Sequence, residues 1–452
     1  MGDGWKQRVR DPVHGLIMFG GRDPRGNETD RIAWRLLNTK EFQRLRRIRQ
    51  LGFSDTVYPG ATHSRFAHSI GVYHMARRLL DVIAREQGAK HDRDRARVAL
   101  LAALLHDIGH GPFSHAFESA SEAVGLQQRH EDWGAAIVRG DTEINRVLRD
   151  VDESLPERVG ALLKEEEPKD VYAAVVSSQF DADRLDYVQR DRLMTGVQFG
   201  HVDSDWLIDC LEVGSVTIGG RDYQPVQCLY LGPKGIAVAE DYLEARFRLY
   251  WTVYVHKTTR AAEKMLQAVL EAAASTLGDS DLARREPVLR HLISREPSLD
   301  AYLRLDDGSI WAALSEYADC RVPRVAELAG RLRDRQLYKC LEIGSWDEPQ
   351  GNLYLRFRRE LAERRIAWRD DLLFDQSTIT PYTWYDFDDD ASALSKVLVK
   401  VRADMNEPRD IAEESPIVKA LHDRRPGRVQ RVFAPDADKL ATLDEILRQV
   451  KG

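Results

Sequence analysis

The chain has 452 residues, 43% of them hydrophobic and 31% charged, with a formal net charge of −7, enough for one large or two to three ordinary domains with a sizeable core. No apolar run reaches the roughly 18 residues that a membrane crossing needs, and residues 1–10 are charged where a secretion signal is apolar, so a cytoplasmic protein with no membrane partner is expected. The negative balance excludes a global attraction to nucleic acid, and the four widely spaced cysteines, Cys210, Cys228, Cys320 and Cys340, exclude a disulfide framework and a zinc ribbon.

Over residues 31–51 the apolar Ile32, Leu36, Leu37, Phe42, Leu45 and Ile48 recur every three or four positions, which predicts a helix with one buried face. Its cations, Arg31, Arg35, Lys40, Arg44, Arg46, Arg47 and Arg49, read either as a polyanion-binding patch or as a solvated helix face. Pro59-Gly60 breaks the chain. Helices are predicted over 70–84 and 96–105, the second apolar all round and therefore central; Gly109, Gly111 and Pro112 end it. Helical patterns return over 131–138, 171–178 and 183–193, so roughly the first 200 residues are predicted to be all-helical. Residues 213–238 alternate instead, with Gly219-Gly220 as a turn between two β-rich runs, which predicts a hairpin. A long helix is expected over 240–277, where Tyr250 and Trp251 read as core or as a base-stacking platform. The remainder mixes short helices and strands, and residues 386–390, aspartate except for Phe387, read as a solvated loop. The expected fold class is mainly α (α+β).

Chemistry concentrates where the 96–105 helix runs into His106-Asp107 and then Ile108-Gly109-His110-Gly111-Pro112-Phe113-Ser114-His115. An adjacent His and Asp offer one imidazole nitrogen and one carboxylate oxygen to the same ion, a mixed set suited to Mn, Fe, Zn, Ni or Mg. The glycines let the backbone approach closely and turn away. A second His-Asp pair, His91-Asp92, lies among Lys90, Arg93, Asp94 and Arg95 and reads as surface. His106-Asp107 differs in having partners on separate helices. Upstream, Pro59 to Gly71 delivers His68 at the start of an apolar helix; downstream, Phe180-Asp181-Ala182-Asp183-Arg184-Leu185-Asp186-Tyr187 places Asp183, Asp186 and Tyr187 on one helical face, continued by Asp191. Such a carboxylate cluster costs several kcal/mol unless a cation or hydrogen bonds compensate it. A divalent metal held by His68, His106, Asp107 and Asp183 is therefore predicted. His14 beside Gly15 reads as a turn residue, His74 as packed on its helix, and His201 and His256 as structural.

These words resemble the HD-domain deoxynucleoside triphosphate triphosphohydrolases. The match covers roughly residues 8 to 260, on Asp11-Pro12-Val13-His14-Gly15, Phe42-Gln43-Arg44-Leu45-Arg46, the Pro59 to Gly71 block, His106 to His115 and Phe180 to Asp191, with a weaker echo in Leu337-Tyr338-Lys339-Cys340. No sterile-alpha-motif domain, which one member of the family carries, is expected before Arg8. The resemblance implies the same four metal ligands. It further implies that Arg65, Arg184, Arg246 and Lys257 contact the triphosphate, that Gln50 and Leu51 face the sugar, and that Tyr187, Asp191 and Tyr254 line the deoxyribose pocket. His110, His115 and His130 would be the catalytic histidines, with Glu118 against His115 and Glu131 beside His130. The division it implies is a catalytic HD core over 1–205, a hairpin and long helices over 206–290 that complete the site and oligomer contacts, and a mixed C-terminal region over 291–452. The implied partners are a dNTP substrate and further copies of the chain, as a dimer, tetramer or hexamer.

Three departures matter. Asn38 stands where GTP-activated relatives have an aspartate and Gln7 where they have a lysine; an amide presents a donor where guanine needs acceptors, so GTP is not the expected activator, and with Gln43 and Arg46 matching the pattern the expectation is a different activating nucleotide or none. Glu118 replaces an aspartate with a side chain one methylene longer. The rival readings are an HD nuclease using the 31–49 cations, a nucleotide phosphodiesterase, and a regulatory subunit that senses nucleotide without cleaving it.

Overall fold

The computed structural model describes all residues except 1–4, 21–25, 166, 217–225, 345–351, 365, 367, 380–393, 395, 403–404, 406, 424–426 and 452. The expected turn at Gly219-Gly220 and the aspartate run at 386–390 lie outside the described residues. The described residues open with an antiparallel hairpin, β1 (Gln7–Asp11) and β2 (Gly15–Phe19), pairing Gln7 with Phe19 and Asp11 with Gly15. This corrects the all-helical expectation. Strands of five residues joined by a turn in which the Asp11 carboxylate accepts the Val13 and His14 amides give too few repeats for periodicity to register.

The helix predicted over 31–51 is broken. Helix α1 (Gly26–Leu37) stops before Asn38, and Thr39 caps the short α2 (Lys40–Arg44) by accepting from the Phe42 amide while its hydroxyl donates to Leu36 O at 2.7 Å. Single 3-10 turns follow at Leu45–Arg47 and Gly52–Thr56. Next come α3 (Arg65–Gln87), capped by Ser64 and ended at Gly88 with φ 53°, and α4 (Arg93–Leu105), capped by Asp92 and buried from Val98 to its end. Asp92, from the second His-Asp pair, is thus an exposed capping residue. The helices α5 (His115–Ala123), α6 (His130–Arg139), α7 (Glu143–Arg149) and α8 (Leu155–Leu163) follow. The 171–178 helix shrinks to a 3-10 turn at Ala173–Val175, flanked by single i→i−4 bonds from the Ala174 amide to Asp170 O and from the Ser177 amide to Ala173 O. Then α9 (Ala182–Thr195) starts at an Asp181 cap and ends at Gly196, φ 75°.

After α10 (Ser204–Asp209), strands β3 (Leu211–Val216) and β4 (Val226–Leu231) form the expected hairpin. The long helix expected over 240–277 is two helices, α11 (Ile236–Leu249) and α12 (Lys257–Thr276), separated by a π-turn at Tyr250–Tyr254. Trp251 is 42% exposed and so is not core. Helices α13 (Asp281–Arg285), α14 (Pro287–Leu292), α15 (Leu299–Leu303), α16 (Asp307–Ala318) and α17 (Pro323–Arg333) precede the C-terminal mixture of strands and helices, as expected. The protein is a mainly helical α+β fold.

Two hydrophobic cores dominate the described residues. The first gathers α1, α3, α4, α9 and α11; the second gathers α5, α12, α14, α16 and α17. The segment leaving α4 crosses from one to the other, since Ile108 belongs to the first and Phe113 and Phe117 to the second. The predicted site lies on that seam.

Candidate active site

His68 lies in the first turn of α3, His106 and Asp107 just past the end of α4, and Asp183 in the first turn of α9. The four converge. His68 Nε2 is 2.9 Å from Asp183 Oδ1 and 3.3 Å from His106 Nε2, and His106 Nε2 is 3.3 Å from Asp107 Oδ1 and 3.6 Å from Asp183 Oδ1. Both imidazoles use their other nitrogen elsewhere, His106 Nδ1 to Ala103 O at 2.9 Å and His68 Nδ1 to Asp186 Oδ2 at 2.7 Å. Carbonyl and carboxylate oxygens only accept, so in the neutral tautomers two Nε2 lone pairs face each other and two carboxylates. That arrangement calls for positive charge at its centre. Donors bound to a tetrahedral ion lie about 3.3 Å apart, so the residues fit a divalent metal. Burial pushes the His68 imidazole down, but its hydrogen bonds to Asp183 and Asp186 together carry it up to about 10. Asp107 and Asp183 are driven up by burial and, more strongly, down by the neighbouring cationic groups and imidazoles, well below the carboxylate range.

Behind His68 stands a layer whose residues the sequence patterns include without showing their role. Asp186, fully buried, accepts from His68 through Oδ2, from His14 Nε2 at 2.6 Å, and from Arg190 through Nε at 2.7 Å and Nη2 at 2.9 Å; Arg190 also binds Asp11. His14 does sit in the β1–β2 turn, as expected, but its ring braces Asp186 and through it His68, a predicted metal ligand. A Cβ on Gly71 would lie 1.9 Å from Asp186 Oδ1, so only glycine lets α3 and α9 approach this closely.

The catalytic candidates flank the cluster. His110 Nε2 is 3.3 Å from Asp107 Oδ1, and its ring stacks on His130 at 4.0 Å. Glu118 reaches two histidines, with Oε2 at 3.2 Å from His115 Nδ1 and Oε1 at 3.3 Å from His130 Nδ1, while Glu131 Oε1 is 3.3 Å from His130 Nε2. The added methylene of Glu118 is what spans both rings. Burial raises the Glu118 carboxyl, and the hydrogen bonds from His115 and His130 outweigh that and hold it far below its ordinary value. Phe113 and Ser114 both take φ 49°, a strained conformation for non-glycine residues. It is held from the second core: Asp307 accepts the Phe113 amide at 2.8 Å and the Arg49 amide at 2.9 Å, and Tyr302 donates to Gly109 O at 2.6 Å.

Among the proposed substrate residues, Arg65 donates to Asp107 Oδ2 at 2.6 Å and to Ser114 Oγ at 3.0 Å. Arg184 is paired with Asp181 and donates to Ser178 O; Arg246 donates to Gln179 Oε1 at 2.8 Å. Asp191 accepts from Tyr254 OH at 2.7 Å and pairs with buried His63 at 2.8 Å, and Tyr187 packs edge-on to Tyr254. The Gln50 backbone amide donates to His63 O, its buried side-chain Oε1 has no partner, and Leu51 packs against the first core. Lys257 is exposed at the start of α12, in a groove with Arg335, Lys339 and Tyr338. The basic stretch is largely neutralised: Arg35 pairs with Asp150, Arg47 with Asp306 and Arg49 with Asp55, while buried Arg44 donates to the Leu305 and His110 carbonyls.

A helical fold that gathers His, His-Asp and Asp on separate helices around one cation-seeking point has the architecture of an HD domain. Residues 65–188 match the HD domain family and residues 226–441 match the HD associated region. The chain is 32% identical to an uncharacterized Bacillus subtilis protein, YwfO, over 92% of this chain and 89% of that one. It is 30% identical to the deoxynucleoside triphosphate triphosphohydrolase SAMHD1 homolog of Dictyostelium discoideum, over 65% of this chain and 56% of that one, and 27% identical to SAMHD1 of Gallus gallus, over 73% and 55%. A crystal structure of a phosphohydrolase from Bacteroides thetaiotaomicron superposes with TM-score 0.70 at 25% identity, over 95% of this chain and 99% of that one. The chain belongs to the HD-domain phosphohydrolases that carry the HD associated region.

Proposed function

We propose that the protein hydrolyses deoxynucleoside triphosphates to deoxynucleoside and inorganic triphosphate. One observation carries this reading: α9 bears a metal ligand, a cation, an aromatic ring and a buried carboxylate in sequence, as Asp183, Arg184, Tyr187 and Asp191. Asp183 and Asp191 are separated by about 12 Å of helix axis, the scale of a phosphoryl group joined to a sugar and gripped at both ends. A divalent cation at the four-ligand cluster, of the Mn, Mg, Fe, Ni or Zn group, supplies Lewis acidity toward the α-phosphoryl oxygens and an acidified water. Arg65, Arg184 and Arg246 neutralise phosphates and hold them for in-line displacement. The Asp191–Tyr254 pair with Tyr187 holds the sugar, where Asp191 offers an acceptor for a hydroxyl. His115, oriented by Glu118, donates a proton to the departing 5′-oxygen, with His110 and His130 completing the polar wall.

The neutralised state of the 31–49 cations speaks against the nuclease alternative, and a histidine–carboxylate pair suited to proton donation, His115 with Glu118, speaks against a purely sensory role. Assembly into a symmetric homo-oligomer follows the general habit of soluble proteins. An activating nucleotide would meet Gln43 and Arg46; Arg46 binds Gln43 Oε1 and lies over the Phe66 ring. The test is product analysis with each dNTP, and in parallel with a single-stranded oligonucleotide, in Mn or Mg, with and without a second nucleotide. The expected products are triphosphate and deoxynucleoside, absent in His106→Ala and Asp107→Ala. Monophosphate, or shortened oligonucleotide, would replace this reading with the phosphodiesterase or nuclease one.

A further inference from the structure

Beside the primary cluster, His115, Glu118 and His130 form a second convergence whose ligand atoms all lie within 4.8 Å of one another. His115 and Glu118 are three residues apart on α5, hence on one face, and α6 brings His130 to the other side of the carboxylate. Two imidazoles and one glutamate are the donor set of three-ligand zinc sites that keep a fourth position open. The His115 side chain is 72% exposed, so the site is open to ions from solution. His130 has a carboxylate at each ring nitrogen, Glu118 at Nδ1 and Glu131 at Nε2. A neutral imidazole donates to only one of them, and the tautomer that donates from Nε2 to Glu131 turns the Nδ1 lone pair toward the Glu118 carboxylate, a pairing that a cation between them would satisfy. An aspartate at 118 would be one methylene shorter, and the present glutamate is what reaches both rings.

We propose that His115, Glu118 and His130 bind a second divalent cation of the zinc type, and that its occupation switches hydrolysis off. The ion takes the His115 nitrogen and the Glu118 carboxylate that orients it, and any proton on the two imidazoles passes to solvent; no other bond changes. The binding half stands by itself, while the inhibitory half rests on the reading of His115 as proton donor.

The experiment uses the full chain with its primary site filled with manganese, verified by elemental analysis, and titrated with zinc by calorimetry alongside nucleotide turnover. One added zinc per chain is expected, with activity falling in step and returning when a zinc-selective chelator removes it while manganese stays. Glu118→Gln and His115→Ala should each weaken the added zinc by more than the roughly 10- to 100-fold that loss of an outer-shell partner costs. His115 is exposed, so its alanine variant leaves folding intact. His106→Ala should retain the added zinc. No zinc beyond the first ion, zinc that merely displaces manganese, or zinc bound undiminished by both variants would overturn the proposal. Zinc bound in this way by a chain that cleaves no nucleotide would uphold the site and remove the substrate assignment, so the two failures are separable.

Discussion

At the scale of single residues, the site is two layers deep, and only the inner one could be read from sequence. His68, His106, Asp107 and Asp183 were legible because chemistry at an apolar helix end is unusual and each had a partner in order. The outer layer was not. A histidine before a glycine looks like any turn residue, and only the three-dimensional approach of β1–β2 to α9 turns His14 into a brace for Asp186 and thereby for His68. The signal present was the word Asp-Pro-Val-His-Gly itself, whose Asp11 and His14 both lead to the Asp186–Arg190 pair. Outer-shell partners of metal ligands typically contribute 10- to 100-fold in affinity. Asp186→Asn and His14→Ala are therefore expected to weaken manganese binding by about that factor, read as metal retained per chain against a graded chelator. Unchanged retention in both would mean that His68 orients without them.

At the scale of elements, what sequence periodicity conveyed was the long, capped helices: α3, α4, α6 and α9 lie where they were expected, extended by a few residues where Ser64, Asp92 and Asp181 cap them. It missed the places where local chemistry overrides an apolar rhythm, namely the Thr39 cap, the β1–β2 hairpin and the π-turn at Tyr250–Tyr254. Glycine spacing was readable in kind but not in purpose. Gly109 and Gly134 mark a crossing of two backbones, and they differ in sign when substituted. A Cβ on Gly109 would sit 2.0 Å from His130 O and 2.3 Å from the Gly134 amide nitrogen, backbone atoms that cannot step aside. On Gly134 the nearest atoms are 3.8 Å away, ordinary contact, and the position is helical. Gly109→Ala should thus lose about 3 kcal/mol or more and shift the catalytic histidines, while Gly134→Ala should gain up to about 1 kcal/mol from helix propensity. Chemical denaturation of both variants checks this. Equal effects would mean that the crossing is looser than its geometry implies.

At the scale of the whole molecule, the site depends on two cores meeting, which no local pattern announces, because Asp307 and Tyr302 lie almost two hundred positions from the loop that they grip. The same seam contains a group whose titration should be visible in global stability. His291 on α14 is 3% exposed, packed among Phe117, Trp133 and Tyr302, and its Nδ1 has no hydrogen-bond partner. Burial alone lowers its imidazole from 6.5 to about 4. Above pH 6.5 the ring is neutral folded or unfolded, and its contribution is intact. As the pH falls from 6.5 toward 4 the unfolded chain takes up a proton that the folded one refuses, so stability is lost through that window, by an amount on the order of 3 kcal/mol at the acid end. His291→Phe removes the titration and keeps an aromatic ring in the space. Wild type and variant should therefore differ little at pH 7.5, and at pH 4.5 the variant should gain on wild type by about 2 kcal/mol, measured from urea midpoints at both values. Carboxylates elsewhere acidify both chains alike and cancel in the difference. A gap that does not change with pH would place the imidazole in contact with solvent or with a proton acceptor, and the seam between the cores would then be open rather than closed.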